Sequence, residues 1–167
     1  MTITFDDKTQ VKMLRLKDGH VHVWVPIVCE GSTDDDSILF VYDTGAFITV
    51  LNLDRYEYFK LYNLPCREIT LHGYAGGTPG YLYKIPGLRI GRRLVSGVWA
   101  FTPKSPDLKQ NLLGNNVLEY FRPFQDNMYD FIYFPDNLTP KPFYSEKNGI
   151  SLACDGVLLI GDEEKQE

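Results

Sequence analysis

A chain of 167 residues, 44% of them hydrophobic, can bury one sizeable core and is read as one main domain. Its net charge of −5 comes with no long Lys/Arg cluster, the densest being Arg89, Arg92 and Arg93 around Gly91, so a nucleic-acid partner is not expected. With 11 Tyr and 10 Phe and short β-branched runs between turn signals, the composition points to a β-rich fold.

In chain order, Val21, Val23 and Val25 alternate with His20, His22 and Trp24. Pro26-Ile27-Val28-Cys29 then leads to an acidic turn and to a strand that ends at Asp43. The Asp34-Asp35-Asp36 run lacks the ligand spacing and distal glutamate of a calcium loop and reads as a solvated hairpin tip. After Gly45 come a strand over 48–51 and two helical turns over 54–61, closed by Pro65. Strands are then expected over 68–72, 81–85, 88–90 and 95–101. A loop from Thr102 to Asp107 precedes Leu112-Leu113-Gly114, a short helix carries Val117, Leu118 and Phe121 on one side, and 129–134 gives a further strand.

Asp43-Thr44-Gly45-Ala46, held between Ile38-Leu39-Phe40-Val41 and Ile48-Thr49-Val50, is the segment most suited to chemistry. A lone carboxylate at the end of a buried strand is a costly charge, whereas two brought together by symmetry share a proton and activate water. The chain contains one such segment and no internal repeat, so it carries half of such a site.

An apolar strand entering Asp-Thr-Gly-Ala, a glycine-rich hairpin at His72-Gly73-Tyr74-Ala75-Gly76-Gly77-Thr78-Pro79-Gly80, and Leu112-Leu113-Gly114 before a short helix occur in that order. Together they resemble the retropepsins, the retroviral-type aspartic proteases and their cellular and bacterial relatives, over about Val11 to Phe134.

The resemblance implies an all-β acid-protease closed barrel with one or two short helices, and a homodimeric aspartic endopeptidase whose catalytic Asp43 pairs with its copy. Thr44, Gly45 and Ala46 would form the active-site turn. Tyr74, Ala75, Gly76, Gly77 and Thr78 would form a flap over an extended polypeptide substrate, and Leu112, Leu113 and Gly114 would support the turn from behind. Tyr42 and Phe47 depart from the family pattern, as does Asn115, which stands where viral members carry an arginine. The competing readings are a non-catalytic peptide-binding or assembly module of the same fold, and a structural domain whose Asp43 only hydrogen-bonds its own turn.

Residues 1–134 are assigned to the protease-like domain and 135–167 to an extension packed on the barrel or the dimer interface, ending in an acidic tail. The apolar runs Gly149-Ile150-Ser151-Leu152-Ala153 and Val157-Leu158-Leu159-Ile160 are expected to supply its strands. No cofactor and no metal are expected: Cys29, Cys66 and Cys154 are scattered, and His20 and His22 would need His72 to form a ligand set, so an exposed strand face is the simpler account. The odd cysteine count suits a reducing compartment. With no secretion leader at Met1-Thr2-Ile3-Thr4-Phe5-Asp6-Asp7 and no membrane-spanning run, a soluble cytoplasmic protein without a long inhibitory propeptide is expected. Asn137-Leu138-Thr139 is then a turn, not a glycosylation site.

Overall fold

In the computed structural model, residues 10–29, 36–73, 76–90, 93–121, 123–134, 144–147, 150–153 and 158–160 are described. Outside them lie Met1 to Asp7, Asp34, Asp35, Tyr74, Ala75, Gly91, Arg92, the Asn137-Leu138-Thr139 triplet, Gly149, Cys154, Val157 and the acidic tail.

Period-two alternation builds the first hairpin. In β3 (Val21–Val28) the inward residues Val23, Val25 and Ile27 are fully buried while Trp24 points outward. β4 (Ser37–Tyr42) pairs with it antiparallel from His22↔Val41 to Pro26↔Ser37 and contributes Ile38 and Phe40 to the same core. The strand entering Asp43 is therefore fixed on its inner face by burial and along one edge by pairing.

Its other edge pairs in parallel with β9 (Asn111–Leu113), from Phe40↔Asn111 to Tyr42↔Leu113. β9 in turn meets β5 (Thr49–Val50) at Val50↔Leu112, and β5 runs parallel to β8 (Arg93–Pro103). β8 pairs antiparallel with β7 (Gly76–Ile90), which returns to β3 through Ile27↔Leu88. Six strands thus close into a ring, and closure leaves these strands no free edge within it. β2 (Leu14–Arg15), β6 (Cys66–Gly73) and β14 (Leu158–Ile160) add to β3, β7 and β8 from outside.

The expected strands over 81–85 and 88–90 are one continuous strand. Proline has no N–H to donate, and the ladder between β7 and β8 omits Pro86 and the facing Gly97, whose φ is 70°. The pairing resumes on both sides, so the proline interrupts hydrogen bonding without ending the strand.

Asn52 caps α1 (Leu53–Tyr58) by accepting from Arg55 N–H. The helix ends earlier than Leu61 because Lys60 adopts a left-handed φ of 54°, after which Leu61–Asn63 form a single 3-10 turn. α2 (Asn115–Phe121) buries Val117 and Leu118. No described helix is long and apolar enough to cross a membrane.

The strand expected over 129–134 starts later, at Phe131. Asp126 accepts from the N–H groups of Met128 (3.0 Å) and Tyr129 (3.2 Å), and this side-chain turn makes β10 (Phe124–Asp126) and β11 (Phe131–Tyr133) a hairpin. β1 (Gln10–Lys12) joins them in a separate three-stranded sheet. β12 (Tyr144–Lys147) and β13 (Ile150–Ala153) form a further hairpin, while β14 lies against Leu94–Ser96 of β8.

Two apolar clusters form among the described residues. The larger contains Val23, Val25, Phe40, Leu88, Leu113 and Val117 among others. A smaller one joins Ile48, Val50, Leu82 and Phe101, with Phe47, Ile69, Leu71 and Leu112 half-buried around it.

Candidate active site

Asp43 stands where the chain leaves β4 and crosses towards β5. Its N–H donates to Leu113 O at 3.2 Å, which continues the β4–β9 ladder by one bond. Ala46 N–H then donates to Asp43 O at 3.3 Å, closing a four-residue turn. Within it, Gly45 N–H donates to Asp43 Oδ1 at 2.9 Å, so the carboxylate is oriented by its own loop. Among the described residues Oδ2 has no hydrogen-bond partner, Asp43 is half-buried, and Thr44 and Gly45 are exposed.

The segment after β9 holds this turn from one side. Asn115 donates twice, from its backbone N–H to Ala46 O at 2.8 Å and from Nδ2 to Thr44 O at 2.7 Å. Gly114 lies against the backbone of Ile48 and Thr49 so closely that no Cβ fits there. Its N–H donates to Thr49 Oγ1 at 3.2 Å, and its carbonyl accepts from Val117 and Leu118 to start α2.

Leu113 is fully buried in the larger cluster directly behind Asp43, whereas Leu112, facing the opposite way on β9, packs into the smaller cluster. Thus Leu113 meets the turn through its carbonyl, Gly114 abuts Ile48 and Thr49 just beyond it, and Leu112 lines the neighbouring apolar surface.

Asn116 ties α2 to two strands, β5 and β8. Its Oδ1 accepts from both the backbone N–H and the hydroxyl of Thr49, each at 2.9 Å, and its Nδ2 donates to Trp99 O at 2.8 Å. Asn116 and Thr49 are both buried. Asn116→Ala would leave the Thr49 donors and the Trp99 carbonyl short of partners. At about 1–3 kcal/mol for each unsatisfied buried group, the expected loss is roughly 3 kcal/mol. Urea unfolding measures it directly, and a loss under about 1 kcal/mol would show that these groups find other partners.

Tyr42 and Phe47, the two departures beside the turn, point away from each other. Tyr42 packs on the larger cluster, where burial pushes its phenol pKa up, and Phe47 packs on the smaller one.

The glycine-rich segment forms a hairpin in which Cys66–Gly73 pairs with Gly76–Tyr83. Gly73↔Gly76 is the last described pair, and Gly76 takes a positive φ of 104°, a conformation that favours glycine. Gly77 and Thr78 are exposed on the returning strand. Ile69 and Leu71, on the hairpin's apolar side, pack against the cluster that begins with Phe47 and Ile48, immediately after the Asp43 turn. A surface depression lined by Glu68, Ile69, Thr70, Pro79, Gly80 and Lys104 lies on the hairpin's stem and contains no residue of the turn. Lys104 bridges it to Glu68 at 2.7 Å.

His22 is buried, contrary to an exposed strand face, because the preceding loop folds over it. Asp18 Oδ2 lies 3.6 Å from its Nε2 and also accepts from Gln110. Asp18 sits below the usual carboxylate range, chiefly through the hydrogen bond from His20 N–H and further through the nearby imidazoles. Among the described residues, no three metal-binding side chains come together.

Residue type and order pointed to Asp43 and to Gly114. Asn116, Thr49 and the side chain of Asn115 were missed as parts of the site, since an Asn-Asn pair at a helix start reads as ordinary capping and its long-range partners leave no local signal.

No family model and no curated protein matches the sequence, but its fold matches solved structures. A retropepsin-like aspartic protease from Rickettsia conorii superposes with a TM-score of 0.57 and 21% identity, over 74% of this chain and 87% of that one. The EIAV protease complexed with the inhibitor HBY-793 gives a TM-score of 0.46 and 18% identity, over 62% of this chain and 88% of that one. With its closed ring of strands and the Rickettsia match, the chain has the all-β, retropepsin-like acid-protease fold.

Proposed function

We propose that the protein is an aspartic endopeptidase that works as a homodimer, with Asp43 of each chain forming one catalytic pair. The observation that carries this reading is the Asp43 turn itself. Its carboxylate is oriented through Oδ1, Oδ2 has no hydrogen-bond partner among the described residues, and the flanking Thr44 and Gly45 are exposed on the single chain. One carboxyl cannot serve as both base and acid in the same step.

Two carboxylates about 3 Å apart repel by on the order of 5 kcal/mol at an effective dielectric near 20, so the pair retains one proton. The ionised member takes a proton from a water held between them, and the water oxygen attacks the peptide carbonyl. The protonated member donates to the carbonyl oxygen. Collapse of the tetrahedral diol then breaks the C–N bond as the amide nitrogen receives a proton. The pair's titration belongs to both carboxyls together.

An extended peptide would lie along the smaller apolar cluster, beneath the 66–83 hairpin acting as a flap, and gain backbone hydrogen bonds from it. Residues 1–134 would form this catalytic unit, with 135–167 as an extension at the barrel's edge. Pairing of β14 with β8 is consistent with that placement. The odd number of cysteines favours a reducing, cytoplasmic setting.

The test is cleavage of a mixed, unfolded peptide library between about pH 3 and pH 8, with and without a statine-type inhibitor, alongside sedimentation. Inhibitor-sensitive cleavage by a dimer, strongest below neutrality, is the expected result. The Gly45–Asp43 hydrogen bond also suits the reading in which Asp43 only shapes its turn. A protein that stays monomeric at high concentration and cleaves nothing would decide for that reading.

A further inference from the structure

We propose that Asn115 is a positioning residue for Asp43, acting through the peptide unit that joins Thr44 to Gly45. The proposal rests on the reading of Asp43 as the catalytic carboxylate. A trans peptide is planar, so its C=O and N–H point to opposite sides and turn together. On one side of this unit Gly45 N–H donates to Asp43 Oδ1 at 2.9 Å. On the other, Thr44 O accepts from Asn115 Nδ2 at 2.7 Å.

The two bonds therefore constrain one rigid plate from both ends. Thr44 and Gly45 are exposed on the single chain, so packing within the chain does little to stop the plate from swinging about its flanking dihedrals. Asn115 is suited to hold it because its own backbone is anchored: its N–H donates to Ala46 O at 2.8 Å, and it opens α2. Donation into the carbonyl also polarises the plate, which strengthens the opposite N–H as a donor to the carboxylate. Its neighbour Asn116 turns into the buried Thr49 network, bonding Thr49 and the Trp99 carbonyl.

The grip needs a donor at this position, which yields a signature that packing alone would not produce. Asn115→Ala removes the donor. Asn115→Asp keeps the shape but presents an ionised acceptor to Thr44 O at neutral pH, and becomes an O–H donor again below about pH 4, once protonated.

The experiment compares wild type, Asn115→Ala, Asn115→Asp and Asp43→Asn as full chains. It reads amide–water exchange at Gly45 by NMR and the pH profiles of kcat and KM on a peptide that wild type cleaves. For Asn115→Ala the expected result is Gly45 exchange faster by about tenfold, with the Asp43 amide unchanged. Its kcat should fall by about tenfold while KM stays within about twofold. Activity of Asn115→Asp relative to wild type should rise by about fivefold or more from pH 6 to pH 3 as the donor returns.

Unchanged Gly45 exchange in Asn115→Ala, or a flat activity ratio for Asn115→Asp, would overturn the proposal. Should Asn115→Ala fail to fold, the Gly45 exchange of Asn115→Asp across the same pH range decides the same point. Asp43→Asn separates the two ideas. If it cleaves like wild type, or wild type itself is inactive, the protease reading fails, while Gly45 exchange still reports whether Asn115 holds the plate.

Discussion

On the proposed mechanism, Asp43→Asn should abolish peptide hydrolysis at every pH while leaving the folding and the proposed dimer intact. The asparagine side chain has the same shape, and its Oδ1 can still accept from Gly45 N–H, so the turn keeps the bond that now sits at 2.9 Å. What disappears is the group that exchanges a proton. General acid–base catalysis is worth about 10²- to 10⁴-fold, and the proposed homodimer would lose both carboxyls in one substitution, so kcat/KM should fall by at least about 10³-fold. Urea unfolding should change by less than about 1 kcal/mol, because no buried bond is lost. Mixed dimers of wild type and mutant sharpen the test, since one remaining carboxyl cannot act as acid and base together. Their activity should match the mutant's, and cleavage at half the wild-type rate would place the catalytic group elsewhere.

The parts of this molecule that were legible in its sequence are those governed by local periodicity and by residues with few alternatives. Alternating valines announced β3, and the apolar run into Asp43 announced β4, because a half-buried strand leaves that pattern directly in the chain. The continuous β7 was hidden by Pro86, which breaks strands whenever its missing N–H is needed. Here the facing Gly97 leaves the ladder at the same point. The β10–β11 hairpin depends on one carboxylate, Asp126, folding back on two amides, a choice that sequence spacing does not advertise.

Four asparagines posed the same difficulty at the site. Asn52, Asn111, Asn115 and Asn116 look like turn residues, yet three of them are buried. Asn52 and Asn111 tie α1 to β9, as Asn52 N–H donates to Asn111 Oδ1 at 2.8 Å and Asn52 Nδ2 to Lys109 O at 2.7 Å. Their partners lie far away in the chain, so only the closed ring brings donor and acceptor together. Asp43 was therefore visible before the apparatus that holds it, because a carboxylate ending an apolar strand is a local signal while its support is not.

Gly114→Ala should be among the most destabilising single-methyl additions to this protein. A Cβ there would lie 2.5 Å from the Ile48 carbonyl carbon and 2.9 Å from Thr49 N, and nearer still to the Ile48 oxygen. All three are backbone atoms at the start of β5, and Thr49 is itself held by Asn116. β5 cannot retreat without opening its pairing with β8 and dragging the Asp43 turn with it. Overpacking costs about 1–3 kcal/mol where side chains can yield, so an obstruction made of backbone should cost about 3 kcal/mol or more, measured by urea unfolding. Gly45→Ala is the informative contrast. Its Cβ would meet only Asp43 Oδ1, at 3.2 Å, a carboxylate that can rotate by a few tenths of an ångström. Stability should change by less than about 1 kcal/mol, but the rotation moves the oxygen that Gly45 N–H holds, so activity should fall more than stability. If the two variants were equally stable, the close approach of β5 to Gly114 would not be what clamps the turn. If Gly45→Ala kept full activity, the orientation of Asp43 within its loop would not matter to the reaction.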